Sequence, residues 1–228
     1  MIPSYTRNYR PKTLVFDLDG TIIHRDFVRS VPHRIARYAV ERLGYPLETA
    51  QAQCAAEYRM HGTNLEAFFV NNLGSLIDVD EYHKYIHGHL PYHTLPKVSR
   101  TFRDALSRHR CFLFTNADSK HASTCLEALG IGDIFLHTSC FETLQSFKHD
   151  AMPGEFVIKP KDVSMRSVIH ATGVPRDEIV FFDDCIDNIH MAWRNSVHGV
   201  LVSPRFDPSL MISSPSYISD IRHFENVL

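Results

Sequence analysis

Four polar clusters in this chain each follow a short apolar run. Asp17 and Asp19 sit one residue apart in "LVFDLDGTII", Thr115 and Asn116 follow "CFLF", Lys159 lies in "VIKPK", and Asp183 and Asp184 close "IVFFDD". Carboxylates brought together repel one another unless protonated or bridged by a cation. Hard oxygen ligands with an open face suit Mg2+, which keeps several waters and shares a phosphate. A threonine hydroxyl and a lysine ammonium beside them would complete a pocket that neutralises a phosphoryl group on all sides, which is most of what phosphoryl transfer demands. Gly20 would give the chain a tight exit from the aspartate pair, and Thr21 would steady that loop.

The elements that must position these groups alternate. "TLVFDL" reads as a buried strand, and "RCFLFTN", "DIFLHTS", "EIVFFDD" and "HGVLVS" repeat that pattern between helical segments such as "SKHASTCLEALG" and "DVSMRSVIHATG". Strands alternating with helices make βαβ units and a mainly parallel sheet, and such sheets place ligands at the carboxyl ends of their strands. Residues 25–92 break the alternation. "FVRSVPHRIARYAVERLG", "PLETAQAQCAAEYRMHG" and "NLEAFFVNNLG" read as helices, each stopped by glycine, within a lobe of four or so helices. The expected architecture is an α/β Rossmann-like core, residues 1–24 and 93–228, with a helical cap inserted at 25–92. The tail from 204 reads as a loop and then an amphipathic helix from about 217.

Composition narrows the class. Of 228 residues, 24 are basic and 26 acidic, a net charge of −2 with no basic stripe for a nucleic-acid polymer. Apolar runs fall far short of the roughly 18 residues of a membrane span, and "MIPSYTRNYRPK" shows no signal-peptide core. Five cysteines without CxxC spacing read as reduced thiols of a cytoplasmic protein. His87 and His89 lack further ligands at zinc-like spacing, so the histidines read as surface residues, and Cys185 as a small buried one.

"DLDGT", "FLFTN", a lysine before proline and "VFFDDCIDN", in that order, resemble the four motifs of the haloacid dehalogenase superfamily over residues 13 to about 202. The resemblance implies that Asp17 is the nucleophile, forming an aspartyl-phosphate, and Asp19 the general acid and base. It implies Mg2+ held by the Asp17 carboxylate, the Asp19 main-chain carbonyl and Asp184, with Asp183 supporting through water. Thr115 and Lys159 match the phosphate-binding pair, and Asp187 and Asn188 would surround the metal and Lys159. Dehalogenating members need no acid at the second aspartate because halide leaves unprotonated; phosphate esters do, so Asp19 points to a phosphatase or a mutase.

The helical insertion resembles the cap of subclass I, and "AAEYRMHGTNLEAFF" with "GHLPYHTLPKVSRTFRDAL" resembles the pyrimidine 5′-nucleotidase branch. Gly20 where that branch carries asparagine, "IIHRD" after it and a longer loop before Lys159 depart from it. Asn116, Arg25 near the hinge, Tyr58, His61 and Asn64 are the expected substrate contacts; alternatively Tyr58 belongs to the cap's own apolar face and His61 is a helix-end residue. The expected function is Mg2+-dependent hydrolysis of a small phosphorylated substrate, a nucleoside 5′-monophosphate first. Alternatives are a small sugar or carboxylic-acid phosphate, or a phosphate-binding regulator without turnover.

Overall fold

The computed structural model of the protein describes residues 12–151, 155–204 and 216–228. The opening segment read for a signal peptide and most of the loop in the tail lie outside them. Six strands form one sheet in the order β3-β2-β1-β4-β5-β6, every neighbouring pair parallel. They are β1 (Thr13–Phe16), β2 (Arg110–Phe114), β3 (Phe135–Ser139), β4 (Ile179–Asp183), β5 (His198–Val202) and β6 (Tyr217–Ile218). After β1 the chain fills one side of the sheet and then, from β4, the other. The crevice between the carboxyl ends of β1 and β4 is therefore a topological switch point, where such sheets bind ligands. Their pairing brings together the two aspartate pairs, which lie over 160 positions apart in sequence.

The apolar runs bury both faces of the sheet, as parallel strands require. Leu14, Phe16, Leu113 and Phe182 face one layer, where α7 (Ser119–Leu129) contributes Ala122, Cys125 and Leu126. Val15, Phe112, Phe114 and Phe181 face the other, covered by α9 (Asp162–Thr172) and α10 (Ile186–Arg194). α7 and α9 end on Gly130 and Gly173 in the left-handed conformation, as their sequences predict.

Among the described residues, five α-helices precede α6 (Arg100–Leu106): α1 (Arg25–Val28), α2 (Val31–Leu43), α3 (Ala50–His61), α4 (Asn64–Val70) and α5 (Val79–His87). The expected single helix from Phe27 divides at Arg29, and α2 starts afresh with Pro32 in its first turn, where the missing N–H costs nothing. Gly44 and Gly62 stop α2 and α3, but Gly74 does not stop α4: that helix ends at Val70, and Gly74 opens a short 3-10 turn. Tyr38, Leu65, Phe68, Tyr82 and Ile86 form the core of this layer, and Phe141, Phe156 and Ile158 from beyond β3 join it. Phe141 opens α8 (Phe141–Gln145), inside the stretch read as loop.

The tail also departs from expectation. β6 occupies Tyr217–Ile218, and only a 3-10 stretch, Ile221–Val227, follows. Phe224 anchors it, fully buried against Phe16 and Phe182. The histidines correct the surface reading: His83, His87, His109 and His121 are buried, and only His89 of the YIHGHL pair is exposed. All five cysteines are free thiols, four of them buried and Cys185 partly so.

Candidate active site

The site is built at the sheet's carboxyl edge. Asp17 directly follows β1 and continues its ladder, its N–H donating to the Phe182 carbonyl at 2.9 Å. Asp183 is the last residue of β4. Lys159 lies between the two aspartates, 3 % exposed, its Nζ donating to Asp17 Oδ1 at 2.5 Å and to Asp183 Oδ2 at 2.8 Å. Asn116 fixes that lysine's backbone from both sides, accepting from its N–H at 2.8 Å and donating to its carbonyl at 3.0 Å. Asn116 therefore clamps the lysine loop as well as reaching the cavity wall. Asp183 also accepts from the Cys185 N–H and from Asn188 Nδ2. Asn188 thus steadies Asp183 rather than Lys159, and Asp187 is exposed.

Ligand-forming oxygens of Asp17, Asp183 and Asp184 all lie within 4.8 Å of one another. Gly20 lets the loop pass over them: it holds φ +93°, and a Cβ there would come within 2.1 Å of Asp184 Oδ2. Only glycine meets both demands. The Thr21 hydroxyl, in contrast, is buried with no hydrogen-bond partner among the described residues, so it does not tie the loop down through that group. Three carboxylates face Lys159 and Arg25, which leaves one negative charge in excess. Hard oxygen donors around a small space with that balance fit Mg2+.

Electrostatics follow from this crowding. Burial, with Asp183 and Asp184 nearby, pushes the Asp17 carboxyl well above its ordinary value although Lys159 pulls it down. Burial and Asp183 likewise raise Asp184, to about 6. Asp19 goes the other way: burial would raise it, but the His121 imidazole, together with His87 and Lys159, outweighs burial and holds it low. The reciprocal effect overcomes burial at His121 and pushes it up to about 12. Nothing in the spacing around this histidine marks it in the sequence. It stands in the first turn of α7, just past Thr115 and Asn116, and is buried where its neighbours Ser119 and Lys120 are exposed.

Thr115 is buried, its Oγ1 accepting from the Ala117 N–H at 3.1 Å. A cavity of about 140 Å³ opens beside Asp19, walled by Val31, Ile35, Tyr58, Asn64, Tyr82, His83, Ile86, Asn116 and Phe141 among others. Of the expected helical-layer contacts, Tyr58 and Asn64 reach it, though the Asn64 amide also donates to the Cys54 carbonyl at 2.7 Å. His61 is not in its wall. Arg25 is not either: its Nε donates to Asp184 Oδ2 at 2.6 Å and its Nη2 to the Asp184 carbonyl at 3.1 Å. A guanidinium drawn to a partly buried carboxylate explains the difference.

A family model described as haloacid dehalogenase-like hydrolase matches residues 11–193. Phosphate metabolism protein 8 of Saccharomyces cerevisiae is 24% identical over 135 residues, 54% of this chain but only 41% of that protein. Among solved structures, a HAD phosphatase from Thermococcus onnurineus superposes with a TM-score of 0.63 at 17% identity, covering 95% of this chain and 97% of its own. L-2-haloacid dehalogenase from Xanthobacter autotrophicus gives 0.58 at 15% identity over 96% and 98%. At such identities the structural likeness speaks for the fold alone, and it spans both carbon–halogen and phosphate chemistry.

Proposed function

Because the chain belongs to the haloacid dehalogenase-like hydrolases, we propose that it hydrolyses phosphate monoesters in an Mg2+-dependent reaction through an aspartyl-phosphate on Asp17. One observation carries the phosphatase over the dehalogenase: Asp19 follows the nucleophile by two residues, faces the cavity and has its carboxylate held in a hydrogen bond. A halide leaves without a proton, but an alkoxide needs an acid.

In the first step an Asp17 carboxylate oxygen bonds to phosphorus, the ester P–O bond breaks, and the leaving oxygen takes a proton from Asp19, which the negative charge of the bound phosphoryl group keeps protonated against the downward pull of His121. In the second, Asp19 takes a proton from water, the water oxygen bonds to phosphorus, and the Asp17–phosphorus bond breaks. Inorganic phosphate leaves and both aspartates return to their starting state. Thr115 keeps its own O–H to donate to a phosphoryl oxygen, and Lys159 offsets the charge that gathers around Asp17. Asp17, Asp183 and Asp184, with the Asp19 carbonyl, would hold Mg2+, which when bound neutralises phosphoryl charge. Helices α1–α5 act as the cap that excludes water and selects the leaving group. The free thiols support a cytoplasmic setting.

The leaving group is uncharged, because the described cavity wall carries aromatic, aliphatic, hydroxyl, amide and imidazole groups and the Asp19 carboxylate, but no lysine or arginine. That favours a nucleoside 5′-monophosphate, in the manner of the pyrimidine 5′-nucleotidase branch, over a phosphorylated carboxylic acid, whose second anion would lack a partner. A second reading rests on size. The cavity's 140 Å³ is close to the roughly 150 Å³ that holds one benzene, so it takes one ring at a time and also suits a small sugar phosphate. Phosphate release with Mg2+ from nucleoside monophosphates, sugar phosphates and phospho-acids separates these readings. UMP or CMP preferred, with activity lost in Asp17→Asn and Asp19→Asn, supports the first; sugar phosphates preferred supports the second. Turnover of phospho-acids alone would remove the neutral-leaving-group argument.

A further inference from the structure

His121 contacts the Asp19 carboxylate yet belongs to none of the four motifs. It is 1 % exposed, and its Nε2 lies 3.0 and 3.2 Å from the two carboxylate oxygens of Asp19. Its Nδ1 lies 2.9 Å from the Tyr92 hydroxyl. That hydroxyl donates to the His87 carbonyl at 3.2 Å, so its oxygen is free to accept and both imidazole nitrogens act as donors. One face of the ring is covered as well. His87 stacks on it with ring centroids 4.3 Å apart, and Asp118 holds His87 at 2.5 Å while accepting the His121 main-chain N–H at 2.8 Å. The imidazole is thus fixed along two edges and a face. Asp19 is not fixed in itself: its side chain is 27 % exposed at the cavity edge.

We infer that His121 is a positioning residue, holding the Asp19 carboxyl group where it meets the leaving oxygen, and that Tyr92 and His87 in turn hold His121. The role rests on the phosphatase reading above. A purely structural histidine would affect all substrates alike. One that aims an acid matters in proportion to how badly the leaving group needs a proton.

The test is kcat/KM for two esters, 4-nitrophenyl phosphate, whose phenolate leaves unaided, and an alkyl phosphate, whose alkoxide does not, in wild type, His121→Ala, His121→Gln and Tyr92→Phe. Acid–base catalysis contributes about 10²–10⁴-fold, so His121→Ala should lose about 10–100-fold on the alkyl ester and under about threefold on the aryl ester. Glutamine keeps an N–H donor for Asp19 but not the second ring donor to the Tyr92 oxygen, so His121→Gln should restore part of the alkyl activity. Tyr92→Phe, which leaves Asp19 and His121 in place, should shift the ratio in the same direction more weakly and keeps the test alive if the alanine variant does not fold. Equal losses on both esters in the folded variants would overturn the positioning role alone. A wild-type protein that cleaves neither ester would overturn the phosphatase reading and this role with it.

Discussion

Replacing Lys159 by methionine isolates the electrostatic centre of the site. The lysine is buried, and it is bonded to Asp17 at 2.5 Å and to Asp183 at 2.8 Å. Methionine keeps most of the stem's volume but leaves two buried carboxylates facing each other. Breaking a buried pair by removing one partner costs about 3–5 kcal/mol. In a domain of this size each kcal/mol moves Tm by about 2–4 °C, so Lys159→Met should melt about 6–20 °C lower than wild type in EDTA. Adding Asp183→Asn removes one of the stranded charges, and the double variant should regain at least half of the loss while phosphate release stays abolished. Thermal melts by circular dichroism and a phosphate-release assay on wild type, Lys159→Met, Asp183→Asn and the double variant complete the cycle. A single variant melting within about 2 °C of wild type, or a double variant less stable than the single, would refute the argument that the ammonium is what lets both carboxylates be buried.

Gly20→Ala should lose activity almost completely, because its Cβ displaces the Asp184 carboxylate, and the left-handed backbone at φ +93° adds about 1–2 kcal/mol of strain readable in the melt. Mg2+ at about one hundred times its Kd should stabilise the wild type by about 2.7 kcal/mol, a rise in Tm that Asp184→Asn removes; an equal rise in both proteins would place the ion elsewhere. Burial would raise the Asp118 carboxyl, but its bond to His87 outweighs that and holds it well below the ordinary value. Its contribution to stability is therefore complete above the unfolded value of about 3.9 and lost as pH falls through the lower folded one. The Tm gap between wild type and Asp118→Asn should hold from neutral pH to about 4 and close below that.

Much of this was legible in the sequence. Apolar runs such as "TLVF" and "IVFFD" define the strands without ambiguity, and the polar residue after each run marks the sheet's carboxyl edge. What linear spacing cannot give is strand order, so Asp17 and Asp183 become neighbours only once β4 pairs with β1. β6, two residues long, carries too little pattern to be read, and Phe224 finds its place through rings contributed by β1 and β4. His87 looked like a surface residue because a histidine between Ile86 and Gly88 carries no sign of its partner, Asp118, which is 31 positions away. Arg25 was read toward the substrate because a charge near a hinge invites that reading; the carboxylate of Asp184 was the nearer attraction.

The helical layer does not simply lie over the site. Gly62 at the end of α3 fits so closely beneath the Lys159 carbonyl that an added Cβ would approach it to 2.8 Å. Arg25 pairs with Asp184, Glu66 with Lys161 and His87 with Asp118. Every one of these joints ends on a residue of the proposed reaction centre or within two or three positions of one. Residues 25–92 are therefore poor material for exchange between relatives. A chimera carrying another protein's insertion would inherit a foreign hinge charge, a foreign lysine support and a foreign partner for the helix that carries His121. New substrate preferences in this chain are more accessible by single changes in the cavity wall than by transplanting the lobe.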